Sequence, residues 1–156
     1  IQPLLSRAYG RGDRKETAAL LRKGLVLSGG VGLAVLTTAL LAAPTLVSWF
    51  NSEGDPLLQS LAEEGLRLYF VGFLCVGYNY LTAAFLSATE RAGAACALST
   101  FRGCMGVILI ACFFAWCFGV TGIWLAFPVV ELATALLGRL VQRRRRTAEV
   151  PEGLCA

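Results

Sequence analysis

Between Gly24 and Ser52 the chain reads GLVLSGGVGLAVLTTALLAAPTLVSWFNS, without one charged side chain. An α-helix needs only ~20 apolar residues to cross the hydrocarbon core of a bilayer, which is about 30 Å thick. In lipid every backbone polar group has to be satisfied within the protein, so a run of this length reads as a spanning helix. Three more uncharged runs follow: Leu68 to Thr89, Ala92 to Phe118 interrupted only by Arg102, and Gly122 to Gly138 interrupted only by Glu131. No ten-residue alternation of the kind that builds a membrane β-barrel is visible. The pattern predicts an all-α, polytopic transmembrane bundle, with spanning helices at about 24–50, 66–89, 93–118 and 122–142. A basic turn within 1–23 precedes them, and a basic, then polar, tail over 143–156 follows.

Composition agrees. Hydrophobic residues make up 56% of the chain and charged ones only 15%, with a mean hydropathy of +0.66, outside the range of soluble domains. The net charge of +4 does not indicate nucleic acid, because the 14 Lys and Arg stand in blocks between apolar runs instead of lining one polar face.

The connections divide by charge. Arg7, Arg11, Arg14, Lys15, Arg22 and Lys23 precede the first span, whereas Glu53, Asp55, Glu63 and Glu64 face only Arg67 after it. Arg91 lies in the next connection, FGVTG at Phe118 to Gly122 carries no charge, and Arg139 with the run at Arg143 to Arg146 closes the chain. With Arg102 counted, alternating sides hold 13 and 1 of the basic residues. By the positive-inside rule the basic turns and the C-terminus are expected to be cytosolic in a multi-pass cell-membrane protein. Trp49, Trp116 and Trp124 are expected at the outer interface. Asp55 before Pro56 reads as a helix cap, and Leu57, Leu58, Leu61 and Leu66 form a face expected to lie in the outer interface. Small residues four apart, Ser28 with Gly32 and Gly30 with Ala34 among them, are expected to let helices approach closely.

Several chemistries find no support. Cys75, Cys96, Cys104, Cys112 and Cys117 lie in or at the end of apolar runs, with no C-x-x-C pair, and read as small buried hydrophobes without a metal. The chain has no histidine, no phosphate-binding glycine-lysine motif and no hydrolytic triad, so no enzyme activity and no cofactor are expected.

Two charges inside the membrane remain. Glu131 lies nine residues past Gly122, roughly 14 Å down from the outer turn, and Arg102 roughly 24 Å down its own helix, an offset of about 10 Å. Such groups face a bundle interior, a cavity or a partner, and mark ion or proton pathways. Glu131 therefore reads either as a proton or cation site or as a static partner of Arg102, whose long stem also reaches the interface. Pro44 and Pro128 interrupt the helical hydrogen-bond ladder and are expected to kink their helices. Tyr78, Asn79 and Tyr80 form a polar group at mid-depth; buried Asn requires a partner, either another helix or a ligand.

QPLLSRAYGRGDRKET at Gln2 to Thr17, FLSATERAG at Phe85 to Gly93 and FGVTGIWLAFPVVELATALL at Phe118 to Leu137 resemble the multidrug and toxic compound extrusion (MATE) transporters. The resemblance spans Ile1 to about Arg146. It implies a C-terminal fragment: the end of a fifth helix at the N-terminus, corresponding to helix eight, then helices nine to twelve of a twelve-helix transporter. An Ile1 start without an initiator accords with that expectation. The function implied is secondary antiport, exporting small organic cations or drugs in exchange for Na+ or H+, by rocking of two bundles. The partners implied are membrane lipid and the remaining N-terminal bundle. Helix ten of some members carries a cation-binding acid; Leu68 to Thr89 has none here. The alternatives are a lipid-linked sugar flippase of the same superfamily and a small oligomeric channel or scaffold subunit.

Overall fold

The computed structural model describes residues 1–89 and 91–148, with side chains described as far as Arg143. Glu90 and 149–156 lie outside the described residues; of the polar tail after Arg146, expected from its composition to be disordered, Thr147 and Ala148 are described and continue the last helix. Every regular element among the described residues is helical: α1 Gln2–Gly10, α2 Arg14–Phe50, α3 Pro56–Phe70, α4 Phe73–Ala88, α5 Ala92–Thr100, a π-helical turn Phe101–Met105, and α6 Gly106–Ala148. Three stretches are long and apolar enough to cross a membrane: Arg14–Phe50, Pro56–Ala88 and Ala92–Arg143. The chain is thus an all-α membrane bundle.

The glycine-rich opening patch is a helix–turn–helix. Gly12 takes φ +73°, the left-handed region that a residue without Cβ adopts readily. Asp13 then caps α2, its carboxylate accepting the Glu16 N–H at 2.8 Å, and Arg11 pairs with Glu16. At the far end of α2, Asn51 donates to the Asp55 carbonyl at 2.9 Å, and Asp55 accepts the Leu57 N–H at 2.8 Å to start α3.

From that turn the chain returns along α2 instead of lying in the interface. Gln59 donates to the Pro44 carbonyl at 3.1 Å, so α3 is packed on α2 within its first turn. Antiparallel contact continues down α4: a Cβ on Gly32 would lie 2.8 Å from the Phe73 carbonyl oxygen, one on Gly77 2.5 Å from Ser28 Cβ, and one on Gly24 3.1 Å from Leu81. The expected interfacial helix is therefore corrected. The leucines do face outward, with Leu57 at 74% and Leu58 at 48% exposure, but from a helix belonging to the membrane hairpin.

The last apolar stretch doubles back. Gly119, at φ 62° and ψ −139°, interrupts α6, and a Cβ on Gly122 would sit 2.1 Å from the Phe114 carbonyl oxygen. The two limbs then run side by side, Arg102 meeting Glu131 and Leu98 lying against Gly138. Leu86, Ala95 and Leu98, with Val141 against them, close the basic end.

One sequence expectation fails here. Cys96, Cys104, Cys112 and Cys117 are exposed on the outside of the bundle, and among the described cysteines only Cys75 is half-buried. Apolar patterning cannot separate a lipid-facing thiol from a buried one, because lipid and protein interior are equally apolar. Trp49 and Trp116 are widely exposed, and Trp124 packs its indole against Gly65, where a Cβ would come within 2.4 Å of the ring.

Candidate functional site

Glu131 is the most deeply buried charge among the described residues, with its side chain 1% exposed. Arg102 Nε lies 2.7 Å from Glu131 Oε1, a close ion pair. Asn79 Nδ2 donates to Glu131 Oε2 at 2.7 Å and to the Glu131 carbonyl at 2.8 Å. Both carboxylate oxygens are thus taken, one by a cation from the π-helical turn and one by an amide from α4. The expected depth offset of about 10 Å at 1.5 Å per residue is corrected by this contact. That estimate assumed regular α-helices, whereas Arg102 sits on a π-turn, which widens the helix locally and re-aims its side chains. Its stem does the rest, since the contact is made by Nε while the guanidinium carbon reaches 4.0 Å from the Tyr80 ring centroid. That geometry is a cation–π contact.

A bare carboxylate at this depth costs several kcal/mol, and pairing with hydrogen bonds offsets that cost. The amide is less well served. Asn79 Oδ1 is buried and has no partner, although its Nδ2 is fully used. Tyr78 stands apart from the cluster, its ring 5.4 Å from the Arg139 guanidinium. Pro44 and Pro128 lie inside helices that run on through them. The Pro44 carbonyl receives Gln59, and Pro128 packs against Gly72 at the junction of α3 and α4.

Sequence reading missed the aromatic wall beside the cluster. Tyr69 and Phe127 stack with centroids 4.2 Å apart, and with Trp124 they line a cavity of about 390 Å³ that also reaches Glu131 and Arg102. A signal was present: Trp124, Phe127, Glu131 and Thr134 recur at helical spacing on one face of α6. A second cavity, about 180 Å³ and lined by Asn79, Thr82, Ser99 and Thr134, also touches Arg102. Thr82 there accepts from Gln142 Nε2 at 3.5 Å.

The fold and site together define a multi-pass helical membrane protein with an ionisable centre inside its bundle. The MatE family profile matches residues 1–112, and the chain belongs to that family. Asn79, Tyr80 and Arg102 fall within the matched segment, and Glu131 lies beyond it. Two solved structures share the fold. The inward-facing conformation of a multidrug resistance MATE family transporter of the MOP superfamily matches at TM-score 0.85 and 21% identity, covering 94% of this chain and 34% of that one. The outward-facing conformation of a multidrug resistance MATE family transporter of the same superfamily matches at TM-score 0.81 and 20% identity, covering 92% and 32%. The chain thus spans about a third of their length. No curated protein matches it.

Proposed function

We propose that the chain forms most of the second bundle of a MATE-type secondary antiporter that exports organic cations or drugs in exchange for Na+ or H+. The observation that carries this reading is the buried Glu131 carboxylate beside an aromatic-lined cavity. A flat organic cation entering that cavity meets the faces of Tyr69, Phe127 and Trp124 and a carboxylate at its end. Aromatic faces attract cations, most strongly where water is excluded. Arg102 already neutralises Glu131, so an arriving cation competes with a tethered one and is held loosely enough to leave. Tyr80 holds the guanidinium by its ring, and Asn79 fixes the second carboxylate oxygen. Tyr78 lies toward Arg139 and belongs to helix packing.

The remaining parts of this reading are architectural. The first bundle is the partner required for transport, and alternating access comes from one bundle rocking on the other. The basic ends of α2, α5 and α6 lie in the cytosol, where positive charge is retained. Efflux of a fluorescent organic cation from vesicles containing this chain together with its first bundle, under a Na+ gradient and a H+ gradient applied separately, tests the reading. Efflux driven by one gradient, and largely lost in Glu131→Gln, is the expected result. Absence of efflux under both gradients overturns it.

A further inference from the structure

The two cavities do not lie side by side; chain direction places them end to end. α4 runs toward the basic end of the bundle, α5 runs away from it, and the second limb of α6 runs back toward it. On α3 and α4, Tyr69 of the aromatic cavity comes before Asn79 and Thr82 of the polar one. From α5 through α6, Ser99 of the polar cavity comes before Arg102, and Val107 of the aromatic cavity after it. On the second limb of α6, Trp124 and Phe127 precede Glu131, and Thr134 follows it. All three segments therefore put the polar cavity on the basic side and the aromatic cavity on the other. Arg102 and Gly103 line both, so the Arg102–Glu131 pair stands between them.

Each cavity also has beside it a residue with a buried polar atom that lacks a protein partner: the acceptor Asn79 Oδ1 by the polar one and the donor Trp124 Nε1, turned toward Gly65, by the aromatic one. Buried polar groups are ordinarily satisfied by protein or by water. At roughly 30 Å³ per water the polar cavity has room for several, with Asn79, Thr82 and Thr134 to hold them.

We propose that the Arg102–Glu131 pair is an internal barrier that divides a water-holding passage through this bundle into two chambers, each reached from one side of the membrane. The seal is built from three parts. The 2.7 Å contact closes the gap, Tyr80 keeps the guanidinium from swinging toward the basic end, and Asn79 pins the carboxylate from α4. Mounting Arg102 on a π-turn supplies the reach that a regular helix would lack, and the absent Cβ at Gly103 leaves space beside it. The barrier is independent of which compound the protein exports.

The test is sidedness of thiol labelling in membranes expressing the protein, with the six native cysteines replaced. A charged, membrane-impermeant thiol reagent is applied to each face in turn. Ser99→Cys, in the polar cavity, should react about tenfold faster from the basic-end face and Val107→Cys, in the aromatic one, about tenfold faster from the other, since thiol reaction rates follow access. Combining either cysteine with Arg102→Ala and Glu131→Gln should bring the two rates together, whereas Arg102→Lys should keep them apart. A wild-type barrier background that already labels equally from both faces overturns the proposal, as does a double variant that keeps full sidedness. If Arg102→Ala with Glu131→Gln does not fold, Arg102→Gln with Glu131→Gln preserves volume and carries the same two outcomes.

Discussion

The two faces of α4 hold their neighbours by opposite means. Phe73, Gly77 and Leu81 form the stripe against α2, where Gly32 meets the Phe73 backbone and Gly77 meets the Ser28 side chain. Asn79, Thr82 and Leu86 form the stripe toward α6, where Asn79 binds Glu131 and Thr82 meets Gln142. In lipid there is no hydrophobic drive between helices, so association relies on close van der Waals approach or on polar bonds. One helix uses both, on faces set by the same helical repeat. The small-residue seam has no chemistry that a cation or a proton could alter, whereas the polar face is built around a charge. The difference places the rigid contact at α2 and the responsive one at α6.

The strongest way to break that contrast is to remove one charge from the polar face. Arg102→Ala leaves Glu131 buried without its cation, and the expected loss is about 3–5 kcal/mol, the range for breaking a buried pair from one side. Removing both charges with apolar replacements, Arg102→Met with Glu131→Leu, should recover most of it, because a buried pair roughly offsets its own desolvation. Thermal unfolding in detergent micelles reads both. If the double variant is no more stable than the single one, the polar face is held by something besides the pair.

A smaller effect is expected on the seam. Gly77→Ala sets a methyl group 2.5 Å from Ser28 Cβ, and overpacking of this kind costs about 1–3 kcal/mol. Ser28→Gly in the same chain removes the obstructing atom and should restore the melting temperature, a size exchange with no counterpart on the polar face. Failure of that rescue would mean that the backbones, not the side chains, are already in contact at Gly77.

Much of this architecture was written in the sequence, and the exceptions share a cause. Uncharged runs announced the membrane helices, and Asp55 with Pro56 announced the start of α3, because length and capping are local properties. Glu131 and Arg102 were legible as a possible pair, and Asn79 as a group needing a partner, since each is costly in hydrocarbon. That Asn79 joins the same carboxylate was not legible, nor was what closes the expected offset: a π-turn at Phe101–Met105, which nothing in FRGCM distinguishes from ordinary helix. Trp124 and Phe127 were hidden for a different reason. Their partners are Gly65, Gly72 and Tyr69 on another helix, and a glycine that admits an aromatic ring looks the same in sequence as one that faces lipid. The outward cysteines teach the same lesson in reverse.

Gly30 sharpens that last point with the smallest expected effect. It lies two residues from Gly32 in the same GGVG run, yet a Cβ there meets nothing within 4 Å, while one on Gly32 meets the Phe73 carbonyl at 2.8 Å. With no clash to oppose it, Gly30→Ala should keep the helix-propensity gain of about 0.5–1 kcal/mol, leaving the melting temperature unchanged or slightly raised. Gly32→Ala should lower it under the same conditions. If Gly30→Ala instead lowers stability as much as Gly32→Ala does, an additional helix covers that face of α2. The seam would then be one side of a wider small-residue interface, and the division of labour between the faces of α4 would extend to α2 as well.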